Sequence, residues 1–320
     1  RHRNPAERGY MTNGPEGHAK KPVIISLGEV LWDIFPEGKT AGGAPVNFTY
    51  HAIQNGADGY SVSALGNDEL GDELEATVRT AGIHCLFERN SYPTGTAGVA
   101  VEDNENSYTI TENAAWDHLK VTDDIRKAVD MADGIAYGTL ASRNEESRSA
   151  IMELLESAPH NAFRFFDINL RGDYFSRDLI DQLLSTATYF KMNDSECAFL
   201  RSLFGIGGND DDACQWFFSR YPGLEYVALT AGRRFSCITV RTGERSYIMT
   251  PHIKMLNAIG SGDVFDGVMA AELLKGASMP EAHQKAVNTA AYVCTQREAW
   301  PAYPDEIPDY VSWQHLCQDT

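Results

Sequence analysis

Asn257-Ala258-Ile259-Gly260-Ser261-Gly262-Asp263 and the apolar run over residues 264–274 behind it decide the predicted fold of this chain. The apolar residues of the run recur at roughly helical spacing, so a helix is predicted to begin at the turn over residues 260–262. Glycines there let backbone N–H groups point outward, and the helix dipole adds partial positive charge. The turn can therefore hold an anion, and Asp263 beside it could accept a proton from an attacking hydroxyl. The alternative is a plain turn with Asp263 as a helix N-cap.

The composition is that of an ordinary globular chain with an acidic balance. The 320 residues can form one large domain or two small ones with a substantial core. The net charge of −18 argues against nucleic acid or an anionic membrane as a partner. A phosphate-bearing ligand would have to be held by backbone amides, a few local cations and a metal ion.

Cysteine usage and hydropathy favour a cytoplasmic protein. The six cysteines are scattered without a Cys-x-x-Cys pair, so neither a metal cluster nor a disulfide framework is expected, and a reducing compartment fits. No uninterrupted apolar run approaches the roughly 20 residues of a membrane span. Residues 1–21 are polar, lack the apolar core of a signal peptide and include an internal methionine, Met11. They are predicted to be a disordered or expression-derived lead.

Strand-like and helix-like segments alternate along most of the chain, which predicts an α/β fold with a parallel sheet. The nearly continuous apolar run over residues 23–31 suits a first strand buried on both faces. Helical patterns separate the later predicted strands, which cover residues 60–65, 134–138, 164–167, 188–192 and 226–230. A hairpin over residues 97–101 and 107–111, with its turn at Asp103-Asn104-Glu105-Asn106, interrupts the alternation. It suggests a small accessory sheet that could cover a site.

Polar residues follow the first predicted strand, and in an open α/β sheet ligands bind beyond the carboxyl ends of strands. Asp33 could accept hydrogen bonds from two neighbouring sugar hydroxyls. The loop before a helix predicted from Phe48 contains Gly42 and Gly43, which let a ligand approach the backbone, and Asn47, which offers both a donor and an acceptor. A capping aspartate and an ordinary loop are the alternative.

Residues whose side chains or backbone could contact a ligand also follow the ends of three further predicted strands. Arg171 has a fork of donors that could meet substrate or phosphate oxygens, or it could be salt-bridged at the surface. Asn193 and Glu196 also have the spacing of a helix start with glutamate at its third position. Thr230 and Gly232 combine a hydroxyl with a permissive backbone, which suits a phosphate contact.

Together these stretches resemble the signatures of the ribokinase-like, or PfkB, sugar kinases, and those of fructokinases most. The resemblance rests on Gly-Glu-Val-Leu-Trp-Asp with Gly-Gly-Ala-Pro-x-Asn, on Asp-x-Asn-x-Arg, Asn-x-x-Glu, Thr-x-Gly and Ala-Ile-Gly-Ser-Gly-Asp, in this order over residues 23 to about 301. The sequence has no P-loop and no dinucleotide-fold signature. The resemblance implies a three-layer α/β/α sandwich over residues 22–320, with a mostly parallel sheet and a small β lid from about residues 34–48 and 94–113.

The resemblance also implies ATP-dependent phosphorylation of a sugar. Asp263 would be the base for the attacking hydroxyl, and the amides of Gly260, Ser261 and Gly262 would form the anion hole. The residues implied in sugar binding are Asp33, Gly42, Gly43, Asn47, Asn169 and Arg171. Those implied on the nucleotide side are Thr230, Gly232, Asn288, and Asn193 with Glu196, a pair that would set Mg²⁺ through its waters. In this family the lid often forms a dimer interface as well, so a homodimer is expected.

Two departures from the family pattern concern the cation and the substrate. Asn257 and Ala258 stand where an aspartate and a threonine normally open the signature. That acid belongs to a monovalent-cation site, so a K⁺ requirement is left open. Glu112 lies near the position where many fructokinases carry an arginine, which favours a neutral sugar over a phosphorylated or carboxylated one. The alternatives are another acceptor (ribose, a ketodeoxygluconate-type acid or a nucleoside) and a catalytically silent sugar or nucleotide sensor.

Overall fold

The computed structural model describes residues 20–102 and 105–311, and only the backbone of residues 99–102 and 105–108. The predicted lead therefore lies outside the described residues, except for Lys20 and Lys21. Asp103 and Asn104 of the predicted hairpin turn also lie outside them.

The described residues form strands and helices that alternate along the chain. The strands, numbered in chain order, are β1 (Val23–Leu27), β2 (Leu31–Phe35), β3 (Gly38–Gly42), β4 (Asp58–Gly66), β5 (His84–Asn90), β6 (Gly95–Glu102), β7 (Glu105–Ile110), β8 (Gly134–Tyr137), β9 (Phe163–Asp167), β10 (Tyr189–Asn193), β11 (Tyr226–Thr230), β12 (Phe235–Val240) and β13 (Arg245–Met249). The helices are α1 (Ala44–Gln54), α2 (Glu69–Thr80), α3 (Asp123–Val129), α4 (Glu145–Ser157), α5 (Arg177–Thr186), α6 (Asp194–Phe204), α7 (Asp210–Arg220), α8 (Ser261–Leu274) and α9 (Met279–Cys294). β5 is a strand that the sequence pattern does not predict.

Among the described residues, the central sheet has the strand order β13-β12-β11-β10-β9-β8-β1-β4-β5. Neighbouring strands from β11 to β5 run parallel, whereas β12 and β13 pair antiparallel at one edge. This confirms the predicted mostly parallel sheet. β1 pairs with β8 on one side and with β4 on the other, so the strand order reverses there. Such a reversal opens a crevice beyond the carboxyl ends of the strands.

Helices cover both faces of this sheet, because successive residues of a buried strand point to opposite faces. On β9, Phe165 packs in the core shared with α1, α8 and α9, whereas Phe166 packs in the core shared with α3 to α7. Ile24 and Ile25 of β1 divide between the two cores in the same way. The predicted three-layer α/β/α sandwich is therefore confirmed.

A second, smaller sheet has the order β3-β2-β6-β7 in the described residues, with β2 and β6 parallel and the outer pairs antiparallel. The single first strand predicted over residues 23–31 is wrong, because the chain leaves the central sheet after Leu27 and enters the second sheet at Leu31. Gly28 makes the break. Its φ is +152°, and a Cβ there would lie 2.8 Å from Cγ of Pro45. An apolar run alone does not reveal such a change of sheet.

The second sheet also differs in extent from the predicted lid over about residues 34–48 and 94–113. Its N-terminal half starts earlier, with β2, and ends at Gly42 because α1 begins at Ala44 and not at Phe48. Pro45 falls in the first turn of α1, where the fixed φ of proline and its missing N–H suit a helix. The loop predicted before Phe48 is therefore mostly strand and helix.

Gly267 of α8 lies at a close approach of α8 to α1 and gives a test of this packing. A Cβ at Gly267 would lie 2.5 Å from the carbonyl oxygen of Phe48 and 3.2 Å from the amide nitrogen of Ala52, both on α1. We expect Gly267→Ala to force the two helices apart and to lower the free energy of unfolding by about 2 kcal/mol, measured by urea denaturation. The control is Gly223→Ala, whose Cβ would lie 3.6 Å from the carbonyl oxygen of Ala187, an ordinary contact distance. Equal stability of the two variants would contradict this account.

Candidate active site

Polar side chains collect at the crevice beyond the carboxyl ends of the central strands. Asp167 ends β9, Asn193 ends β10 and Thr230 ends β11. The start of α8 lies at the same crevice, with Gly260 at its N-cap position and Asp263 in its first turn. These residues line one cavity of about 650 Å³, which we call the groove.

The groove contains most of the residues predicted to act on phosphates. The predicted residues that line it are Asn169, Arg171, Asn193, Thr230, Gly232, Gly260, Ser261, Gly262 and Asp263. The predicted residues outside its lining are Asp33, Gly42, Gly43, Asn47, Glu196 and Asn288. The chain order of the motifs therefore indicates the phosphate side of the site better than the sugar side.

The turn at the start of α8 leaves little room for side chains. Gly260 has a φ of +74°, a left-handed conformation that favours glycine, and a Cβ there would lie 3.3 Å from Nδ2 of Asn47. A Cβ on Gly262 would lie 3.0 Å from Nζ of Lys191. Because the N-cap residue is glycine, no side chain from that position bonds to the first-turn amides. These amides, together with the helix dipole, form a positively polarised end of α8.

Asp263 is a partly buried carboxyl whose surroundings suit a general base. Burial is the largest effect on its pKa and raises it to about 7, with a contribution from the charge of Asp167. Asn47 opposes this effect, because its Nδ2 donates a hydrogen bond of 2.9 Å to Oδ2 of Asp263. The charges of Lys191 and Arg171 also lower the pKa. A base whose pKa lies near the working pH is efficient in proton transfer.

Asp263 lies where the groove meets a second, smaller cavity, which we call the small cavity. It lines both spaces, together with Asp167 and Asn169. Asn169 has a φ of +39°, which is uncommon for a residue other than glycine and is a form of backbone strain that clusters at functional sites. Two ligand groups, one in each space, could therefore approach the same carboxylate.

Glu29 is a site residue to which the sequence reasoning assigns no role. It is buried after β1, and it lines the small cavity beside Asp263. Burial raises its pKa to about 7, and the charge of Asp263 adds to the rise, against hydrogen bonds from its own amide and from that of Ala44. Ala44 is the first residue of α1, so Glu29 joins the end of β1 to the start of that helix. The sequence signal that could have identified Glu29 is its position as an acidic residue inside the apolar run over residues 23–31.

Asp33 lies on β2 of the second sheet and does not directly follow the first strand. Burial raises its pKa to about 6, and the positive charge of Arg171 opposes the rise. Gly42 on the neighbouring β3 leaves space for this carboxylate, because a Cβ at Gly42 would collide with Oδ2 of Asp33. Gly43 has a φ of +111°, and a Cβ there would collide with the carbonyl oxygen of Glu29. The glycine pair is thus required by its immediate surroundings.

Lys191 and Asp266 form a buried charge cluster with Asp167 beneath the groove. Nζ of Lys191 donates a hydrogen bond of 2.7 Å to Oδ2 of Asp167 and lies 3.6 Å from Oδ2 of Asp266. The hydroxyl of Tyr189 donates to Oδ1 of Asp266 over 3.2 Å. Burial raises the pKa of Asp266 well above its ordinary value. The cluster supplies Lys191 as a fixed cation below the Gly262 turn.

Asn193 and Glu196 form the helix start that the sequence allowed as an alternative. Oδ1 of Asn193 accepts from the Glu196 amide over 2.8 Å, and Oε2 of Glu196 accepts from the Asn193 amide over 2.8 Å. Oε1 of Glu196 accepts from the amide of Leu170 over 2.9 Å. Both carboxylate oxygens therefore bond to backbone amides, which leaves Glu196 suited to hold water rather than to bind a metal ion directly.

Asn288 has structural contacts away from the groove. Its Nδ2 donates to Oδ1 of Asp309 over 3.0 Å, and its Oδ1 accepts from the amide of Val311 over 3.0 Å. The groove is lined instead by Ala291 and by Val287, Ala290 and Cys294, which share one face of α9. This placement does not support the nucleotide contact predicted for Asn288.

Two features of the structure concern the binding of cations. Within residues 20–102 and 105–311, no group of three or more His, Cys, Asp or Glu side chains is arranged to hold a metal ion. Asn257 has both polar atoms bonded, since Oδ1 accepts from the Ile259 amide and Nδ2 donates to the carbonyl of Arg297.

Among the helices of residues 20–102 and 105–311, none is long and apolar enough to cross a membrane.

The family model described as pfkB family carbohydrate kinase matches residues 24–306, and this chain belongs to that family. Two similar relatives have fructokinase names. The probable fructokinase-3 of Arabidopsis thaliana is 26% identical over 318 residues, which are 90% of each chain. The fructokinase of Solanum tuberosum is 25% identical over 309 residues, 89% of this chain and 93% of that protein.

Solved structures of the same fold support the architecture. A fructokinase with bound ATP from Xylella fastidiosa has a TM-score of 0.78 at 20% identity, covering 94% of this chain and 100% of that one. A putative ribokinase II from E. coli, in complex with ATP and Mg²⁺, has a TM-score of 0.75 at 17% identity, covering 93% and 100%. At these identities the likeness establishes the ribokinase-like fold.

The raised pKa of Glu29 makes stability depend on pH. Since its pKa is about 7 in the folded chain and 4.5 ordinarily, the folded state binds the proton more tightly. This contribution is fully present below about pH 4.5 and is lost as the pH rises through 7. Glu29→Gln has no carboxyl at this position and therefore no such contribution to lose. Its free energy of unfolding relative to that of the wild type should rise by about 3 kcal/mol between pH 4.5 and pH 8, measured by urea denaturation.

The control for this measurement is Glu306→Gln, because Glu306 is exposed near the C-terminal end of the described residues. Its stability relative to the wild type should not change over the same range. A Glu29→Gln difference that is equally independent of pH would contradict the buried, protonated state of Glu29.

Proposed function

We propose that this protein transfers a phosphoryl group from ATP to a hydroxyl of a neutral sugar, as a fructokinase does. The observation that carries the proposal is Asp263, a partly buried carboxyl with a pKa of about 7 at the positive end of α8. It borders both the groove and the small cavity, which suits a base between a phosphoryl donor and a hydroxyl acceptor. The names of the relatives support the same substrate class.

In the proposed reaction, Asp263 accepts the proton of the attacking sugar hydroxyl. Asp33, Gly43, Asn47 and Asn169 hold and orient the sugar. The amide of Asn47 already reaches Asp263, so one side chain can order both the base and the acceptor. Alignment of the hydroxyl with the phosphoryl group supplies much of the rate enhancement.

On the donor side, the amides of Gly260, Ser261 and Gly262 stabilise the charge that develops on the transferred phosphoryl group. Lys191 lies beneath this turn, and Arg171 lines the groove. Thr230 and Gly232 border the same groove, and we propose that they contact the phosphates of the nucleotide. These donors are held by the fold before the ligand arrives, which is the condition for electrostatic catalysis.

The residues present fit Mg²⁺ that arrives with the nucleotide. Mg²⁺ keeps several waters and is bound through few carboxylates plus phosphates, and Asn193 with Glu196 would hold those waters. When bound, the ion neutralises charge on the phosphates. The site does not fit K⁺ in the family manner, because Asn257 supplies no carboxylate and its side chain is already bonded.

The neutral character of the sugar rests on Glu112. Its Oε1 accepts a hydrogen bond of 3.0 Å from the hydroxyl of Tyr174, so its carboxylate is held in place after β7. Glu112 lines a cavity with Arg143 and Arg148 that shares no lining residue with the groove, so the proposal of a neutral sugar rests on the departure from the family arginine. This disfavours a ketodeoxygluconate-type acid among the alternative acceptors.

Replacement of the base gives a direct test. Asp263→Asn keeps the shape of the side chain but removes the proton acceptor, so turnover should fall by about a factor of 10³ while the affinity for ATP stays within about twofold. Coupled ADP release measures the first quantity and calorimetry the second. Asp305→Asn, an exposed substitution, is the control. Turnover near the wild-type rate in Asp263→Asn would remove the base assignment.

A panel of sugars tests the substrate and the cation together. With Mg²⁺-ATP, we expect rapid ADP release on fructose or another neutral sugar, and the same rate with and without K⁺, because Asn257 offers no anionic ligand. Turnover restricted to an acidic sugar would refute the neutral acceptor, and strong K⁺ activation would refute the account of Asn257. Binding of sugar and ATP without ADP release would favour a sensor.

We also propose that the second sheet acts as a lid that excludes water and joins two copies of the chain. Asp33 of β2 belongs to the site, and side chains alternate along a strand, so Ile34 belongs to the opposite face, where it is 37% exposed. A single exposed isoleucine is common on protein surfaces, so the proposal of a dimer rests on the family resemblance, and Ile34 marks the face to test. Light scattering should give the mass of a dimer, and Ile34→Lys should shift it towards a monomer, unlike the turn substitution Glu37→Lys. A monomer mass for the wild type would refute the dimer.

A further inference from the structure

The segment after α9 packs against α1 directly behind the site. The indole of Trp300 stacks on the ring of Tyr50, with centroids 5.7 Å apart and planes inclined by 16°. The hydroxyl of Tyr50 donates to the carbonyl of Pro301 over 2.9 Å. His51 of α1 contacts the same segment, with Nε2 3.1 Å from the carbonyl of Ala299 and Nδ1 2.7 Å from the hydroxyl of Tyr303. The position of Trp300 is therefore fixed from several sides.

Trp300 is linked to Asp263 by one intervening side chain. Nε1 of Trp300 donates a hydrogen bond of 2.8 Å to Oδ1 of Asn47. Nδ2 of Asn47 in turn donates a hydrogen bond of 2.9 Å to Oδ2 of Asp263. An indole nitrogen can only donate, so the atom of Asn47 that faces Trp300 must be the oxygen. The NH₂ group must then face Asp263.

We propose that Trp300 is a positioning residue that acts through Asn47 to keep a hydrogen-bond donor on Asp263. The inference rests on the proposed function, in which Asp263 is the base. Without the indole N–H, the amide of Asn47 can turn by 180° and present its oxygen to the carboxylate. Two acceptors would then face each other, which disfavours the ionised form of Asp263 that accepts the proton.

Other charged groups around Asp263 do not substitute for this contact. Asp167, Lys191 and Arg171 face it from β9, β10 and the segment after β9, Glu29 from the segment after β1, and Asp266 from its own helix. Trp300 itself donates to Asn47 and stacks on Tyr50. His51, which contacts the Trp300 segment, has its pKa lowered by burial to about 3 and keeps one charge state near neutral pH.

The test compares Trp300→Phe with Trp216→Phe, a matched replacement on α7. Phenylalanine at position 300 keeps an aromatic ring to stack on Tyr50 but has no N–H. We expect the acid limb of the kcat/KM profile to move up by about one pH unit in Trp300→Phe, so that kcat/KM falls about tenfold at pH 6 and approaches the wild-type value at pH 8.5. Trp216→Phe should keep the wild-type profile. A uniform loss at every pH, or an unshifted limb, would overturn the proposal.

A second measurement does not depend on turnover. In ¹⁵N-labelled wild-type protein, the indole N–H resonance of Trp300, assigned as the one missing from Trp300→Phe, should shift with pH around a midpoint near 7. The shift should vanish in Asp263→Asn, which retains Glu29 and the other neighbours. An indole resonance that does not titrate in the wild type would overturn the link. Absence of kinase activity combined with this titration would instead refute the proposed function and retain the link.

Discussion

The structure depends on keeping one carboxylate, that of Asp263, largely shielded from water and still able to ionise. Burial by itself holds such a group in its protonated form, because an unsolvated charge is costly. The hydrogen bond from Asn47 and the charges of Lys191 and Arg171 act against burial, and the resulting pKa is about 7. Each of these groups comes from a different element, so the fold as a whole sets the strength of this base.

This requirement explains the close packing of α1 and α8. Asn47 lies on α1 and Asp263 on α8, and their side chains bond over 2.9 Å. Gly267 lets the helices approach, because it has no Cβ that would collide with the carbonyl oxygen of Phe48 on α1. Gly260 does the same at the turn, where a side chain would crowd Asn47. Gly267 and Gly260 thus act through geometry. Of these two, only Gly260 also acts on the ligand in the proposed reaction, through its backbone amide.

Much of the fold was predictable from the sequence, because parallel strands are continuous apolar runs and their ends carry the polar motifs. The turn at the start of α8 and the strand ends at Asn193 and Thr230 are local features of this kind. The rest depends on contacts between distant residues: the change of sheet at Gly28 requires the position of Pro45, and the link from Trp300 to Asn47 joins residues far apart in sequence. A single sequence contains no pattern for such pairs.

The balance of charge at the site is compatible with the proposed contact between the phosphates and backbone amides. Acidic side chains dominate there, namely Glu29, Asp33, Asp167, Glu196, Asp263 and Asp266, and a polyphosphate would be repelled if all were ionised. Burial raises the pKa of Glu29, Asp33, Glu196, Asp263 and Asp266. Lys191 forms an ion pair of 2.7 Å with Asp167. Part of the set is therefore neutral near pH 7. The uncharged amides of the α8 turn can then receive an anion although the chain has a net charge of −18.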